Sequence, residues 1–350
     1  MMTPDSHFVW FLHQPSASGW LKRELAKRRP DLRFAFSRPG LTTFKVEAAR
    51  ADEPASESSF ARAWGRSLGR GKTTSEVLAV AAQLGPSLRL HVVERDLDKP
   101  ADERDAKLAG SRARAFEATL REAAPTQFLI GNEAAIGDRV LDVIGAPAEL
   151  ADDGWFIGWH VHDALRGPFP GGVTHASIPA HAPSRAWAKI EESIRWSGLA
   201  PKAGEHAVEI GSAPGGMSLA LLNRGLNVIG IDPGVMDPAV LNYRGMNGNR
   251  YTHHTMPAAE VQAKDLPRQY EWLVSDVNLA PMIALKYIER FVALAHGGLR
   301  GAFITLKLHD DGLFLALPQL RERIAKLGAK GVRYTQLPAH RSEIVALLSW

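Results

Sequence analysis

The feature that most constrains this chain is a glycine-rich corner between two short apolar runs. Val208 and Ile210 lead into Gly211-Ser-Ala-Pro-Gly-Gly216, a helical pattern follows, and a second apolar run ends in Asp232. This order predicts a strand, a tight turn, a helix and a second strand, the first unit of a doubly wound α/β sheet. Because an acid at the tip of the second strand can accept both hydroxyls of a ribose, the corner predicts a nucleoside-binding site.

Details of the corner indicate which nucleoside. A dinucleotide fold uses Gly-x-Gly-x-x-Gly, with a pyrophosphate on the helix N-terminus. Here Pro214 stands where the helix should open, and it withdraws an N–H that a phosphate would use. We therefore predict S-adenosylmethionine rather than a nicotinamide dinucleotide, with a purely structural turn as the alternative. The predicted cofactor-binding residues are Gly211, Ser212, Ala213, Pro214, Gly215, Gly216, Met217, Asp232 and Asp276.

Composition limits the class of protein. The chain has 350 residues, enough for two domains, and its 45% hydrophobic and 23% charged content is typical of globular proteins. The absence of cysteine excludes disulfides and thiolate zinc sites, and it agrees with a reducing cytoplasm. No spacing of His, Asp and Glu indicates a metal site, and no apolar run approaches membrane-spanning length. We therefore expect a soluble cytoplasmic protein without metal or membrane contact, as a monomer or weak dimer.

The sequence pattern predicts a change of architecture near residue 165. Residues 1–165 alternate short strand-like runs with helical patterns and are predicted to form an α+β region. Residues 166–185 are rich in Gly and Pro and read as a linker, and residues 186–350 form the sheet domain. The predicted strands of the first region are Phe8–Leu12, Thr42–Val46, Leu88–Val93, Phe128–Ile130 and Trp155–Val161, and the predicted helices are Trp20–Arg28, Phe60–Leu68, Thr74–Leu84 and Ala113–Ala123.

Four polar residues stand out in the second half. Asp276 closes the run from Trp272, and Lys307 ends an apolar strand, where a lysine would be costly unless it is used or extends to solvent. Lys189 lies on a predicted helix and Glu343 begins the last predicted strand; taken singly, each would be an ordinary surface residue. Since ligands of open α/β sheets bind at the carboxyl ends of strands, we predict that Asp276 and Lys307 face a ligand.

Together these residues carry a resemblance. The order Lys189, glycine-rich turn, Asp276, Lys307, Glu343 resembles the Lys-Asp-Lys-Glu tetrad of the FtsJ-like ribose 2′-O-methyltransferases. The flanking sequence motifs are most similar to those of the bacterial enzymes that methylate a cytidine ribose of large-subunit ribosomal RNA. They include Ala182-Pro-Ser-Arg-Ala-Trp-Ala-Lys189 and Ser212-Ala-Pro-Gly-Gly216. The resemblance implies a Rossmann-like S-adenosylmethionine-dependent methyltransferase domain, preceded by ferredoxin-like and THUMP-like RNA-binding pieces.

The resemblance also implies a separate role for each residue of the tetrad. Lys307 would be the general base, and a nearby Lys189 ammonium would lower its pKa. Asp276 would orient Lys307, with a possible second contact to the cofactor, and Glu343 would hold Lys189 or the ribose. Two positions depart from the family pattern: Met217 replaces a tryptophan, and Ala186 replaces a serine.

Charge distribution gives weaker support for an RNA partner. Residues 1–50 hold nine Lys and Arg against four Asp and Glu, much of the excess lying between Lys22 and Arg29. Such a run can grip phosphates with an affinity that falls steeply with salt, or it can be a solvated helix face. The candidate RNA contacts are Trp10, Trp20, Arg28, Arg29, Trp64 and Arg66, although burial in a core is the more usual fate of a tryptophan.

Three other functions share some of these features. A methyltransferase acting on a small molecule or a protein would share the glycine turn, but it has no need of paired lysines; a methyltransferase acting on another RNA stays an alternative. A catalytically degenerate RNA-binding relative would be expected to have lost members of the tetrad, and all four are present. A nicotinamide-dependent oxidoreductase is disfavoured by Pro214.

Overall fold

The computed structural model describes residues 6–47, 58–96, 110–147, 154–173, 176–308 and 310–350. The chain divides into two compact units, residues 1–174 and residues 175–350, which we call the N-terminal unit and the C-terminal unit. The boundary falls inside the Gly- and Pro-rich segment 166–185.

The N-terminal unit is built on one seven-stranded sheet in the order β2-β3-β1-β4-β7-β6-β5. All neighbouring strands are antiparallel except β5 and β6, which are parallel. The strands are β1 (Phe8–His13), β2 (Arg33–Arg38), β3 (Leu41–Lys45), β4 (Ala61–Gly71), β5 (Arg89–Glu94), β6 (Arg139–Gly145) and β7 (Trp155–Val161), and the helices are α1 (Ser18–Arg28), α2 (Thr74–Gln83) and α3 (Ser111–Ala123).

Residues alternate between the two faces of this sheet, as strand geometry requires. Leu90 and Val143 pack with Val77 of α2 and Leu120 of α3 in one buried cluster. A second cluster contains Trp10, Leu12, Leu41, Ala63 and Ile144, which come from β1, β3, β4 and β6.

The helix predicted over Phe60–Leu68 is wrong, because these residues lie in strand β4 and the residue just before it. Phe60, Trp64 and Leu68 follow the four-residue spacing of a helix face, which suggested the error. Ala61–Arg66 are all buried, so the strand lacks the polar-apolar alternation of a half-buried strand. Strands β2 and β6 went unpredicted, and Phe128 forms only an isolated bridge with Leu88 instead of a strand.

A polar cluster is enclosed in the N-terminal sheet. His91 of β5 lies directly across from Asp142 of β6, and His160 of β7 approaches the same carboxylate, with 2.7 Å between His160 Nδ1 and Asp142 Oδ2. The ring of His162 lies 6.0 Å from that of His160, and all four residues are at most 7% exposed. Burial lowers the pKa of His91 and of His162 to about 4 and raises the pKa of Asp142 to about 7. We call these four residues the imidazole cluster.

The C-terminal unit has a second seven-stranded sheet, in the order β10-β9-β8-β11-β12-β14-β13. The five strands β8 to β12 are all parallel, and β14 runs antiparallel to its neighbours β12 and β13. The strands are β8 (His206–Ile210), β9 (Asn227–Ile231), β10 (Tyr251–His254), β11 (Trp272–Ser275), β12 (Gly301–Lys307), β13 (Gly331–Thr335) and β14 (Glu343–Ser349), and the helices are α4 (Ala186–Ser197), α5 (Gly216–Asn223), α6 (Pro238–Leu241), α7 (Pro281–Leu294) and α8 (Asp311–Ala325).

This strand order places a crossover beside the glycine corner. From β8 the chain moves outward through β9 to β10, then returns to the other side of β8 to form β11 and β12. The carboxyl ends of β8, β9, β11 and β12 therefore share one edge of the sheet, and β8 and β11 flank the switch point, where ligands bind in open α/β sheets. The Rossmann-like α/β prediction for this half is confirmed. Within the described residues, no helix has the length and apolar character needed to cross a bilayer.

Candidate active site

The four residues of the predicted tetrad meet in the C-terminal unit. Lys189 Nζ lies 2.9 Å from Asp276 Oδ2 and 2.6 Å from Glu343 Oε2. Lys307 Nζ lies 2.7 Å from Glu343 Oε1 and 3.6 Å from Asp276 Oδ1. Cations and anions thus alternate around a closed ring, which we call the lysine–carboxylate ring. Its side chains are 11–15% exposed, so a ligand or solvent can still reach it.

The secondary structure explains how residues so far apart in sequence converge. Asp276 directly follows β11, and Lys307 is the last residue of the neighbouring strand β12, so both leave the same edge of the sheet. Glu343 begins β14 and pairs with Lys307 because the two strands are antiparallel. Lys189 comes from the first turn of α4, and it closes the ring by bridging the two carboxylates.

The electrostatics of Lys307 contradict the expectation from sequence. Burial by itself lowers the pKa of Lys307, but the hydrogen bond that its amine donates to Glu343 and the negative charges of Asp276 and Glu343 outweigh it, and the pKa is raised above its usual 10.5. The expected net lowering of the Lys307 pKa is therefore wrong for the lysine as it stands in the ring, although a neighbouring ammonium by itself still acts in the lowering direction. Two carboxylates outweigh one neighbouring ammonium, because each lies within contact distance of the Lys307 amine.

A buried histidine accompanies the ring. His340 ends the short turn Pro338–His340 before β14, and this turn is held to α4 by a 2.9 Å hydrogen bond from the Ala339 N–H to Glu192 Oε2. Burial, aided by the charge of Lys189, lowers the pKa of His340 to about 3, so the imidazole is neutral. No sequence signal indicated this residue, because a single histidine in a loop has no diagnostic spacing.

Several polar atoms next to the ring along the chain lack a hydrogen-bond partner within the described residues. They are Trp187 Nε1, Ser275 Oγ, Gln336 Oε1 and both ring nitrogens of His340, and all of them are buried. Buried polar atoms are normally paired, so their concentration on the segments that carry the ring is typical of a site that hydrogen-bonds a ligand. The elements around the ring therefore fit a polar ligand.

The glycines of the corner serve the packing of the chain itself. Gly211 has φ of +82°, and a Cβ there would come within 2.9 Å of the Asp276 carbonyl oxygen. At Gly215 a Cβ would meet Val240 at 2.7 Å, and at Gly216 it would meet Ser184 Oγ at 2.2 Å. The missing side chains thus let three protein segments approach the turn.

The rest of the predicted corner is organised by Asp232. Its Oδ2 accepts the Ala213 N–H at 3.1 Å, and its Oδ1 accepts the Gly234 N–H at 2.6 Å. Asp232 is half-buried at the carboxyl end of β9, so its oxygens keep further lone pairs for a ribose. Pro214 is exposed, whereas Ser212 is buried and accepts a hydrogen bond from the Tyr251 hydroxyl at 3.0 Å. Met217 is 3% exposed and its side chain belongs to the core.

A further acid under the corner was missed. Glu209, in the middle of β8, is 1% exposed and accepts a 2.5 Å hydrogen bond from the Ser218 hydroxyl. Burial raises its pKa to about 8, so the carboxyl is largely protonated at neutral pH. The signal was present, because an acid between Val208 and Ile210 in a buried strand is costly unless it is partnered.

Most of the candidate RNA contacts are buried. Trp10 and Trp64 are 2% and 6% exposed, and Arg29 and Arg66 are 9% and 8% exposed. Trp20 is half-buried against Phe60, and only Arg28 is exposed. Trp10 and Trp64 are therefore core residues, as is more usual for tryptophan.

Comparison with known proteins identifies the domain that contains the ring. Residues 182–334 match the family model of the FtsJ-like methyltransferases. The ribosomal RNA large subunit methyltransferase M of Thauera aminoaromatica is 31% identical over 198 residues, which cover 52% of this chain and 50% of that protein. The protein of the same name from Stutzerimonas stutzeri is 28% identical over 261 residues, or 71% of this chain and 69% of its own. The match to the first relative spans about half of its length.

A solved structure with similarity along most of the chain is that of TrmN from Thermus thermophilus, which covers 98% of this chain and 99% of its own at 11% identity. Its TM-score of 0.33 is too low to support an argument. The family match over residues 182–334 agrees with the resemblance seen in the sequence, and together with the curated relatives it confirms the cofactor expected from the glycine corner. This part of the chain is therefore similar to the FtsJ-like methyltransferases, and its cofactor is S-adenosylmethionine.

Proposed function

We propose that the C-terminal unit transfers a methyl group from S-adenosylmethionine to a ribose 2′-hydroxyl of RNA, namely a cytidine of large-subunit ribosomal RNA. The observation that carries the proposal is the lysine–carboxylate ring at the switch point of an FtsJ-like domain. The name shared by the curated relatives supports ribosomal RNA as the substrate. The resemblance of the flanking motifs supports the cytidine ribose.

A ribose hydroxyl is a poor nucleophile until its proton has an acceptor, and the ring supplies one. Glu343 Oε1 and Asp276 Oδ1 both face the amine of Lys307, at 2.7 and 3.6 Å. With two positions of a tetrahedral amine occupied by these carboxylates, the remaining one points away from them. In the neutral amine this position carries the lone pair that accepts the hydroxyl proton.

Lys307 must lose a proton before it can act as the base. In the ring its pKa is raised, so the ammonium form predominates at neutral pH. Any further positive charge brought to the ring lowers this pKa. Lys189 limits the influence of the carboxylates, because it shares both of them with Lys307 and so reduces the negative charge that Lys307 experiences. Lys189 and Glu343 thereby act as positioning residues.

The cofactor would be held along the carboxyl edge of β8, β9 and β11. Asp232 would bind the ribose of the adenosine, and the turn from Ser212 to Gly216 would line its methionine side together with Asp276. When bound, S-adenosylmethionine supplies an electrophilic methyl carbon on a cationic sulfur. The contribution of the chain is to align the acceptor hydroxyl and the Lys307 amine with that carbon, since alignment accounts for much of the barrier reduction in such a transfer.

The N-terminal unit would bind the RNA, as a region of ferredoxin-like and THUMP-like pieces spanning residues 1–165. Its mixed α+β architecture and the basic excess of the first 50 residues support this assignment. RNA binding through phosphate contacts would weaken steeply as salt is added.

The test is to incubate the full chain with total RNA and radiolabelled S-adenosylmethionine, and to map ribose 2′-O-methyl positions. We expect label at a single cytidine of large-subunit ribosomal RNA. Label in another RNA, or on a base, would overturn the substrate assignment. S-adenosylmethionine binding by calorimetry without any methyl transfer would instead identify a catalytically degenerate relative.

A further inference from the structure

A stack of planar side chains lies on the surface of the N-terminal unit. The ring centroids of Phe36 and Phe156 are 5.7 Å apart at an angle of 34°. The guanidinium carbon of Arg38 lies 4.6 Å from the Phe36 ring, and that of Arg70 lies 4.5 Å from the Phe156 ring. Four flat groups therefore follow one another in the order Arg38, Phe36, Phe156, Arg70, which we call the Arg–Phe stack.

Irregularities in two strands contribute to this arrangement. The register of β2 shifts between Phe34 and Phe36, so these residues do not share a face as residues two apart normally do. Phe34 contacts Phe44, whereas Phe36 reaches Phe156 of β7. A second register shift, between Ser67 and Gly69, immediately precedes Arg70 in β4. Bulges that re-aim side chains in this way are common next to functional surfaces.

The stack is accessible from its cationic ends. Arg38 and Arg70 are exposed, and the two phenylalanines are half-buried. A second stack in the same unit shows the contrast: Arg112 lies 4.2 Å from the ring of Trp155, which stacks on Phe116 at 4.3 Å. Trp155 is only 3% exposed, so that second stack belongs to the protein core. In the Arg–Phe stack, by contrast, both arginines lie at exposed positions.

The surrounding charge indicates the kind of partner. Residues 33–45, which contain Phe36 and Arg38, include three Lys or Arg and no Asp or Glu. Residues 61–75, which contain Arg70, include four Lys or Arg and no Asp or Glu; Arg70 and Lys72 are exposed, whereas the other two are buried. Strand β7 adds no charge, because burial keeps its histidine neutral. A positive surface with planar groups favours a polyanion that also offers flat rings, which is the chemistry of a single-stranded nucleic acid.

We propose that the Arg–Phe stack binds unpaired nucleotides of the RNA substrate, with a base stacking on the guanidinium plane of Arg38 or Arg70 and the neighbouring cations contacting phosphates. The inference rests on the proposed function only in taking RNA as the substrate. A duplex fits this surface less well, because its bases are already stacked on one another and cannot reach the guanidinium planes.

The test measures binding of a fluorescein-labelled single-stranded oligoribonucleotide and of the matched duplex to the full chain by anisotropy. The informative variant is Arg38→Lys with Arg70→Lys, which keeps both charges but removes both planar groups. We expect this variant to bind the single strand ~5-fold more weakly or worse, which corresponds to the lower end of the free energy of stacking one base. Binding of the duplex should be unchanged. Phe36→Leu with Phe156→Leu should act in the same direction, provided that thermal unfolding shows a folded protein.

The matched control is Arg114→Glu, which changes an exposed arginine of α3 outside the stack. It should affect single strand and duplex equally. Equal single-strand affinity of the double lysine variant and the wild type would overturn the proposal, as would tighter binding of the duplex than of the single strand. Calorimetry with S-adenosylmethionine and a methyl-transfer assay on the same proteins separate this outcome from failure of the proposed function, since the stack contains no residue of the ring.

Discussion

Each of the two units contains a cluster of four polar residues, and the clusters differ in charge. In the imidazole cluster His91, Asp142 and His160 lie within strands, are almost fully buried, and have pKa values shifted toward the neutral forms. In the lysine–carboxylate ring Asp276 and Lys307 lie at strand ends, and the pKa of Lys307 is shifted toward its charged form. Depth in the sheet therefore decides whether a polar cluster is neutral and structural or charged and open to a ligand.

The largest effect should come from removing the base of the ring. Lys307→Met should lower methyl transfer by ~1,000-fold or more, within the range that general base catalysis contributes. S-adenosylmethionine affinity, measured by calorimetry, should stay within a few-fold. The control Lys326→Met removes an exposed lysine that pairs with exposed Glu322, and it should leave transfer unchanged. Activity of Lys307→Met within a few-fold of wild type would show that the base is another group.

The imidazole cluster should make the protein sensitive to acid. Burial lowers the pKa of His91 from 6.5 to about 4, so between these pH values the unfolded chain binds a proton that the folded protein does not. The contribution of the histidine to the free energy of unfolding is therefore fully present above pH 6.5 and is lost as the pH falls toward 4. The total loss is ~3 kcal/mol for each such histidine. Asp142, whose pKa is raised to about 7, acts in the opposite direction, because at acidic pH the folded protein holds a proton there that the unfolded chain releases. His162 adds to the loss of stability.

Denaturant titrations at pH 7, 5.5 and 4.5 measure this loss through tryptophan fluorescence. His91→Gln should flatten the pH dependence. His181→Gln, at an exposed position, should leave it as in the wild type. A pH dependence that is identical in all three proteins would show that the imidazole cluster does not govern acid stability.

Substitutions of Asp142 test whether the imidazole cluster is independent of the lysine–carboxylate ring. Asp142→Ala leaves the Nδ1 of His160 without its carboxylate partner, and we expect a loss of ~1–2 kcal/mol in the free energy of unfolding. Asp142→Asn is the matched control, because it keeps an acceptor oxygen and a similar volume, and it should cost less. Both variants should bind S-adenosylmethionine as the wild type does. A weakened cofactor affinity in Asp142→Asn would contradict the separation of the two clusters.

A smaller effect is expected for the pH profile of transfer. The rate should rise with pH as Lys307 loses its proton, and Glu343 raises the pKa of Lys307. Glu343→Gln should therefore move the rise to lower pH by about one unit or more, while lowering the maximal rate. Glu322→Gln, at the surface pair with Lys326, should not move it. A shift to higher pH would contradict the assigned role of Glu343.

Sequence patterns predicted an element correctly where its apolar residues recur at a regular spacing. The helix at Ala186–Ser197 and the strand ending at Lys307 were predicted with correct bounds or nearly so, because apolar periodicity fixes such elements. The error at β4 has the opposite cause. Both faces of Ala61–Arg66 are buried, one of them holding arginines, so the pattern that separates strand from helix is missing. Burial of a charged residue such as Arg62 depends on partners distant in the chain, here Asp96 and the Gly171 carbonyl.

The sequence by itself determined the doubly wound C-terminal sheet and the glycine corner through local pattern, and it identified the four members of the ring through their resemblance to the FtsJ-like tetrad. Only the tertiary structure decided that Lys307 is held as an ammonium, that the corner glycines serve packing, and that Trp10 and Trp64 are core residues. The physical reason is that pKa values and burial are set by atoms that approach through space. Sequence pattern records which groups are present, and the fold sets the distances between them.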